Sequence, residues 1–455
     1  MLDVLNRLTQ KTPLAVGALE LLSFVTRPEV IEPLYERYRG KGYTGELSFP
    51  ALLDMLSIAL IQDGGSGHRQ YVAQGRGPAP VVDSSNFYRK LQHMSPVVSQ
   101  ALLREPTREL QQIIPLDTTI LPRCFDAMEL VIIDGKKIKN VAKRLAPTRG
   151  FTGALLGAAA LVGVSMRSGL ALAFSYSLDG ETNDVPMVPD LLSQVRESLI
   201  RTILWVADRQ FCDGKTLGLM NGPAGDHFVV RIRKGLSFRP DPDHPARTTT
   251  DSKGRAIIEE VGTLFAVHSV RVRRITLKRM SMEDIVIVTD LMDAEQFGAE
   301  DLLELYRRRW GIEQVFQQIT ETFSLEHLIG CSPNAVLFQL SFCLMLYNVT
   351  QVVRAYLAQD GNVSAQRVSM FNLFCEIERG MTTMLLMCDQ MSVRVAIDVQ
   401  SMRERLKSLI QGRWHKSYLS RSDKKPRERT RKKVTGGLHK SVQKFLVQSP
   451  REAAK

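Results

Sequence analysis

The 455-residue sequence contains no closely spaced pair of cysteines: its six cysteines are scattered along the chain. Zinc sites and disulfide frameworks use clustered cysteines, so this pattern argues against a zinc site and predicts reduced thiols in a cytoplasmic protein. None of the eight histidines lies in an HExxH-type arrangement. The N-terminal MLDVLNRLTQKTP lacks the apolar run of a signal peptide, and no internal repeat is evident.

Long uninterrupted apolar runs are also absent. ALLGAAALVGV, at 154–164, is 11 residues long and too short to span a bilayer. FQLSFCLMLYNVTQVV, at 338–353, is interrupted by Gln339, Asn348 and Gln351, which indicates a buried helix. The sequence therefore predicts a protein without a membrane partner.

Positive charge is in excess. The net charge of +12 and the pI of about 9.4 indicate an anionic partner, whereas 44% hydrophobic and 24% charged residues are typical of a globular protein. No basic amphipathic helix dominates the chain, so nucleic acid is favoured over a membrane surface.

Residues 1–118 are expected to form a helical region, because apolar positions recur every three or four residues, as in ALLDMLSIALIQ. SSNFYRKLQHMSPVVSQALL predicts two helices broken before Pro96, with Arg89, Lys90 and His93 on the first or just after it. We interpret this region as DNA-binding. An ordinary helical bundle would have the same pattern.

Residues 119–325 change in character and predict an α/β domain. MELVIIDG is a buried strand that stops at Asp134, and TILWVAD is another that stops at Asp208. Between them, two apolar runs joined across RSG predict a hairpin, and VPDLLSQVRESLI predicts a helix. The order is strand, strand, strand, helix, strand.

A β-rich insertion is expected at about 222–284, between the fourth and fifth strands. Its segments alternate apolar residues with Arg or Lys, which is typical of antiparallel strands with one cationic face. Arg231 and Arg233, then Arg271 and Arg273, are candidate contacts for a DNA backbone. A solvated charged face is the alternative.

The amino-acid composition of the C-terminal part changes after residue 410. Residues 326–410 are apolar-rich and predict helices, whereas 411–455 are expected to form a basic tail with little order. The tail suits nonspecific DNA binding, with a solubility tail as the alternative.

One charged segment, YRRRWGIEQVFQQI, predicts a helix with two distinct faces. Its apolar residues form a buried stripe, while Tyr306, Arg309 and Glu313 share the neighbouring face. Arg309 and Glu313 also have the spacing of an i,i+4 ion pair, worth roughly 0.2–0.5 kcal/mol. Spacing alone leaves both a surface pair and a functional site open.

Three carboxylates, Asp134, Asp208 and Glu313, lie at two strand ends and on this helix. A strand-end aspartate is alone more often a turn or cap residue. Together, in a basic chain, they suit two Mg²⁺ ions, which prefer oxygen ligands. Two such ions, roughly 3.5–4 Å apart, activate the attacking oxygen and stabilise the leaving oxygen of a phosphodiester.

These motifs resemble those of DDE transposases of the insertion-sequence-four type. LELYRRRWGIEQVF is similar to their Tyr-x2-Arg-x3-Glu-x6-Lys signature at Tyr306, Arg309 and Glu313, and VIIDGKKIK and VADRQF are similar to the surroundings of their two aspartates. The resemblance covers roughly 80–410. One position departs from the signature, because Thr320 stands where the lysine is expected.

The resemblance implies an α/β catalytic core with a ribonuclease-H-like mixed sheet and a β-rich insertion, flanked by helical N- and C-terminal regions. It implies that Asp134, Asp208 and Glu313 are catalytic ligands of two Mg²⁺ ions, or of Mn²⁺ in their place. Tyr306 and Arg309 would hold phosphate, and in the family the signature lysine contacts the DNA end. Candidate replacements for its charge are Lys136, Lys137 and Lys139.

The implied function is cut-and-paste transposition in the bacterial cytoplasm, at the nucleoid. A homodimer in a synaptic complex would bind double-stranded DNA, both terminal inverted repeats and target. Trp310 or Phe211 would be candidates to stack on a flipped base, with core packing as the alternative. Two other functions stay open: an inactive or domesticated transposase that only binds DNA, and a ribonuclease-H-like DNA nuclease.

Overall fold

The computed structural model describes most of the chain. The described residues are 7, 9–40, 47–61, 84–116, 121–222, 225–233, 235–280, 282–323, 325, 327–387, 396–420 and 439–448.

The centre of the protein is a mixed sheet. In chain order its strands are β1 (Glu129–Ile138), β3 (Ala158–Ser165), β4 (Ala171–Ser177), β5 (Ile203–Ala207), β6 (His227–Arg231), β7 (Phe238–Pro240), β8 (Arg247–Thr250), β9 (Ala256–Leu264), β10 (Val270–Leu277) and β11 (Ile285–Thr289). The spatial order is β4-β3-β1-β5-β6-β11-β10-β9-β7, and β8 pairs with β9. β1, β5 and β6 are parallel, whereas β3 is antiparallel to β1. The centres of these parallel strands, 130–133, 203–207 and 228–230, are apolar and buried because both faces of the sheet are covered there.

The predicted hairpin is confirmed. β3 and β4 pair antiparallel, and the turn between them contains Gly169, whose φ of +72° is a left-handed conformation that glycine adopts without strain. The predicted helix also forms, at Val188–Arg196. It packs against β3 and β4.

The first strand of the expected insertion, β6, is parallel to β5 and not antiparallel as expected. His227–Arg231 runs parallel to β5, with Val206 opposite Val229. The antiparallel pairs start at β11 and continue through β10 and β9. The expected alternation is absent from β6, where the consecutive residues Phe228, Val229 and Val230 are all buried, as in a strand covered on both faces.

Helices flank the sheet at both ends of the chain. The N-terminal helices are α1 (Pro13–Val25), α2 (Pro28–Tyr38), α3 (Phe49–Ile61), α4 (Ser84–Gln92) and α5 (Pro96–Ile113). Those between strands or just after them are α6 (Val188–Arg196), α7 (Gly214–Met220), α8 (Ala299–Arg307) and α9 (Gly311–Glu321). The C-terminal ones are α10 (Pro333–Asp360), α11 (Met370–Met387) and α12 (Val399–Ile410). Four of these helices begin at a proline, whose fixed φ suits the first helical position.

The buried helix predicted at 338–353 is confirmed and lies within α10. Its interrupting polar residues are buried and hydrogen-bonded: Asn348 bonds both the amide and the carbonyl of Ala171 at 2.8 Å. Gln351 donates to the Ser168 carbonyl at 3.0 Å. In the described part of the chain, α10 is the one helix long and apolar enough to cross a bilayer, and its apolar window is wholly buried inside the protein.

The expected basic tail contains ordered segments. β12 (His439–Ser441) pairs parallel with the short strand β2 (Ala154–Leu156), and helix α13 (Val442–Gln448) follows. The hydroxyl of Ser441 accepts a hydrogen bond from the Gly180 amide at 2.8 Å, which attaches β12 to the rest of the protein. The most basic stretch, 421–438, lies outside the described residues.

Candidate active site

Asp134 lies inside a strand, so the prediction that its strand ends there is wrong. β1 continues to Ile138, opposite Ala158 of β3. Its parallel pairing with β5 ends one residue before Asp134, at Ile133 opposite Ala207. The apolar run therefore stops where the parallel neighbour stops, and the aspartate lies beside the end of β5.

Asp208 directly follows β5, as the sequence predicts, and precedes a 3-10 turn at Arg209–Phe211. Asp134 and Asp208 thus lie at the carboxyl ends of the paired stretches of two neighbouring parallel strands. Ligand sites in open α/β sheets form at such ends.

The charged segment is not one continuous helix. α8 ends at Arg307, a 3-10 turn covers Arg308–Trp310, and α9 begins at Gly311. The apolar stripe is nevertheless buried as predicted, at Leu305, Ile312, Val315, Phe316, Ile319 and Phe323. The turn is short enough to keep Arg309 and Glu313 on the same side.

Arg309 and Tyr306 connect the three carboxylates into one group. The Tyr306 hydroxyl donates to Asp208 Oδ1 at 3.2 Å. Arg309 donates from Nη1 to Asp134 Oδ2 at 3.5 Å and from Nη2 to Glu313 Oε1 at 3.2 Å. The Arg309 side chain is only 7% exposed, whereas that of Glu313 is 40% exposed and open to solvent.

The environment of Asp134 disfavours its charged form. Burial raises the pKa of Asp134 from 3.8 to about 6, and the charges of Asp208 and Glu313 add to this. The Gly135 amide, which donates to Asp134 Oδ1 at 2.9 Å, and the Arg309 guanidinium act in the opposite direction. Burial likewise raises the pKa of Tyr306 to about 12, so its hydroxyl stays protonated as a donor.

The donor chemistry of the site fits a hard divalent cation, since all three acidic side chains offer carboxylate oxygens and Asp134 is desolvated. In the described part of the chain, however, no three acidic, histidine or cysteine side chains converge at metal-ligand distance. The Arg309 guanidinium occupies the space between Asp134 and Glu313. Arg309 thus contacts two of the three carboxylates, and the third, Asp208, is bonded to Tyr306.

The two candidate lysines on β1 point to opposite faces of the sheet, as successive strand residues must. Lys136 shares the face of Asp134 and reaches α9, where its ammonium donates to Thr320 Oγ1 at 2.7 Å. Lys137 lies on the other face, bonded to the Thr182 carbonyl and 3.8 Å from Asp184. The structure therefore brings Lys136, but not Lys137, to the side of the carboxylates.

Two candidate arginines lie near the Asp208 turn. Arg231 ends β6 and is 3.6 Å from Glu283, and Arg233 donates to the Gln210 carbonyl at 3.3 Å. The insertion does not have a uniform cationic face, because Arg273 is buried and bonded to Glu259 at 2.9 Å, whereas Arg271 is exposed.

Asp184 is a neighbour of the site that the sequence did not indicate. Its carboxylate packs directly on Gly135, where an added Cβ would lie 2.1 Å from Asp184 Oδ2. The same oxygen accepts from Gln210 Nε2 at 2.9 Å. Asp184 thus contacts the residue after Asp134 and the turn after Asp208; the glycine after Asp134 was the available signal.

The aromatic candidates differ in exposure. Phe211 is fully buried, which agrees with core packing. Trp310 is 62% exposed beside the Arg309 guanidinium, 5.9 Å from its ring.

Residues 125–349 match the protein family described as "Transposase DDE domain". These residues, just under half of the chain, are similar to a DDE transposase domain. The predicted enzyme class, an enzyme that acts on DNA, is thereby confirmed at the level of this domain, and domains of this family generally use divalent metal ions. The finer insertion-sequence-four assignment stays a prediction.

Two relatives are transposases of insertion sequences. A "Probable transposase for insertion sequence element IS5377" of Geobacillus stearothermophilus is 24% identical over 148 residues, 32% of this chain and 38% of the relative. A "Putative transposase for insertion sequence element IS4SA" of Synechocystis sp. is 23% identical over 148 residues, 32% of this chain and 40% of the relative. The matched region thus spans well under half the length of either relative.

A solved structure, the cryo-EM structure of a piggyBac transposase synaptic complex with hairpin DNA, aligns over 90% of this chain and 78% of that chain. The sequence identity is 10% and the TM-score is 0.31, which is too low to support a conclusion about the fold.

Proposed function

We propose that this protein is a DNA transposase of the insertion-sequence-four type, which cuts the ends of its element and joins them to target DNA. The observation that carries the proposal is the connected group of Asp134, Asp208 and Glu313, linked through Tyr306 and Arg309. A solvated i,i+4 ion pair would not include two aspartates from segments far apart in the sequence in the same contact network.

The strand order supports a ribonuclease-H-like core. β4-β3-β1-β5-β6 has three strands in a meander, a helix, and then two parallel strands, and it places Asp134 on the central strand. The antiparallel strands β7–β10 would be the β-rich insertion, and the helices before and after the domain would be the DNA-binding and C-terminal regions.

Asp134, Asp208 and Glu313 would hold two divalent ions, Mg²⁺ or Mn²⁺. When bound, such ions activate the attacking oxygen and stabilise the leaving oxygen of a phosphodiester. Arg309 orients Asp134 and Glu313, and Tyr306 orients Asp208. A guanidinium and a hydroxyl at these positions also suit the phosphate beside the cut.

Arg231, Arg233 and Lys136 extend the proposed DNA-contacting set, since each lies near the aspartates on an exposed or half-buried side chain. Lys137 lies outside this set because its ammonium is on the other face of the sheet. Backbone phosphate contacts of this kind provide affinity that falls with salt and carry no sequence information.

The proposed partners are the terminal inverted repeats and the target DNA, bound by a homodimer in a synaptic complex at the bacterial nucleoid. The test combines purified protein, a fragment carrying the DNA that flanks the gene, a supercoiled target plasmid and MgCl₂. Joining of fragment to plasmid is the expected result. Cutting without joining would favour a nuclease, and binding without cutting would favour a DNA-binding protein.

A further inference from the structure

The side chain of Lys136 connects β1 to α9 across the candidate cleft. Its ammonium donates to Thr320 Oγ1 at 2.7 Å and lies 3.5 Å from the Phe316 carbonyl oxygen. Thr320 is itself fixed, because its hydroxyl donates to the same carbonyl at 2.7 Å. The Lys136 ammonium also lies 5.7 Å from the Phe316 ring centroid. The charge therefore has a defined position on the surface of α9.

That position belongs to the same side of the molecule as the carboxylates. Asp134 and Lys136 are two residues apart on β1, so their side chains share one face of the sheet. Thr320 lies seven residues after Glu313, about two turns or ~10 Å farther along α9. The Lys136 ammonium thus lies on the same side of α9 as Glu313, farther along the helix.

The charge of Lys136 is only partly compensated within the protein, because Glu321 attracts it from beyond ion-pair distance while Lys139 repels it. Among the described residues, no carboxylate lies within 4.0 Å of its nitrogen, and its bonded partners are neutral oxygens. Lys278 and Lys444, in contrast, are each paired with an acid, Asp284 at 2.9 Å and Glu181 at 2.7 Å. A half-buried ammonium without a counter-charge in contact is costly, and an anionic ligand would supply that counter-charge.

We infer that Lys136 is the phosphate-binding cation of this site, supplied from β1 to the position where the signature lysine is expected on α9, with Thr320 as its docking partner. The ligand class is a DNA phosphodiester beyond the one held by Arg309. This inference rests on the proposed function. Thr320 cannot bind phosphate through a positive charge, because a threonine hydroxyl is neutral. The contact between Lys136 and Thr320 would supply that charge.

Salt-dependent DNA binding tests this assignment. The probe is a fluorescein-labelled duplex of arbitrary sequence, titrated by anisotropy at several salt concentrations without divalent metal. Lys136→Gln removes the charge and keeps a side-chain donor on the same face, one bond nearer to the backbone. We expect the slope of log K against log salt to fall by about 0.9 in magnitude, equally for duplexes of different sequence.

A double variant that restores the positive charge from α9 is the more specific test. In Lys136→Gln/Thr320→Lys the cation returns to the same place from α9, and we expect the wild-type slope to return. Lys137→Gln is the matched control, since it removes the next charge on the same strand but on the opposite face. It should leave the slope unchanged, and thermal unfolding verifies that each variant is folded.

The outcomes separate the inference from the proposed function. If the wild-type protein binds with a salt-dependent affinity but Lys136→Gln has the same slope, the inference is wrong and the proposed function stands. An equal loss in Lys137→Gln, or no recovery in the double variant, would also overturn it. If the wild-type protein binds no DNA, the proposed function and the inference fail together.

Discussion

Arg309 is the residue on which the arrangement of the carboxylates depends. Its guanidinium is buried and bonded to Asp134 and Glu313, and it lies 5.9 Å from the Tyr306 ring. A planar guanidinium can donate to two acids at once, which a lysine ammonium at the end of a flexible chain does less well. An arginine at this position therefore keeps two mutually repelling acids in one cleft.

The same cleft makes Asp134 a source of instability. Its folded pKa of about 6 lies above the ordinary value of 3.8, so the folded state holds a proton that the unfolded state has lost between these values. The contribution of Asp134 to the free energy of unfolding therefore becomes more unfavourable as pH rises from about 4 to about 6, and it stays constant above that.

Asp134→Asn should thus stabilise the metal-free protein near neutral pH, by about 3 kcal/mol at most, and the gain should shrink as pH falls towards 4. Urea unfolding at a series of pH values measures it. Asp243→Asn, at an exposed position in the insertion, is the control and should change little. Equal stability of Asp134→Asn and wild type at pH 7 would show that Asp134 is not strained by its burial.

At the scale of elements, β1 is packed tightly where it passes Asp184. The Asp184 carboxylate occupies the space that a side chain at position 135 would need. Gly135→Ala should therefore displace β1 and lower the free energy of unfolding by roughly 1–3 kcal/mol. The loss should be smaller in an Asp184→Ala background, because the clashing carboxylate is then absent.

Gly218→Ala is the matched control for this prediction. It lies in α7 with open space around the added methyl group, and in a helix alanine is favoured over glycine. Its stability should equal or exceed that of the wild type. Equal costs of Gly135→Ala with and without Asp184 would contradict the assigned clash.

The elements that could be predicted are those with a strong local pattern. The β3–β4 hairpin follows from two apolar runs around a glycine, and the buried stripe on α8 and α9 follows from helical spacing. The 3-10 turn at Arg308–Trp310 has no such signal. A turn this short changes the hydrogen-bond pattern of a few residues but does not change the spacing of the apolar residues on either side. The pairing of β12 with β2 connects segments far apart in sequence, which local patterns do not report.

The residues of the candidate site are indicated by local features of the sequence, namely an aspartate after each of two apolar runs and the spacing of Tyr306, Arg309 and Glu313. Their contacts are not indicated in this way. The contacts of Lys136 with Thr320 and of Asp184 with Gly135 join residues that only the sheet topology brings together. Which of two adjacent lysines faces the cleft also depends on strand register, because a shift of one residue exchanges the faces.

At the scale of the whole molecule, the N- and C-terminal helical regions are joined to each other. Glu20 of α1 is nearly buried and accepts two hydrogen bonds from Arg405 of α12, both at 2.8 Å. α1 also contacts α10 and α11. The helices before and after the DDE transposase domain are therefore packed together and are not separate appendages.

Glu20→Gln should weaken this junction by roughly 1–3 kcal/mol, because a charged acceptor of two hydrogen bonds is replaced by a neutral amide. Glu404→Gln, at an exposed position on α12 next to Arg405, should cost little. Chemical unfolding followed by circular dichroism compares them. Identical midpoints for the two variants would contradict a joint helical unit.

The central claim is that Asp134, Asp208 and Glu313 act together in cutting DNA, and one comparison tests it most directly. Wild type, Glu313→Gln and Glu321→Gln are incubated with DNA carrying the flanking sequences of the gene, with and without Mg²⁺. Glu321 is an exposed glutamate at the end of the same helix and serves as the control. We expect Mg²⁺-dependent cutting by wild type and Glu321→Gln and none by Glu313→Gln, which should still bind the DNA. Undiminished Mg²⁺-dependent cutting by Glu313→Gln would contradict the account.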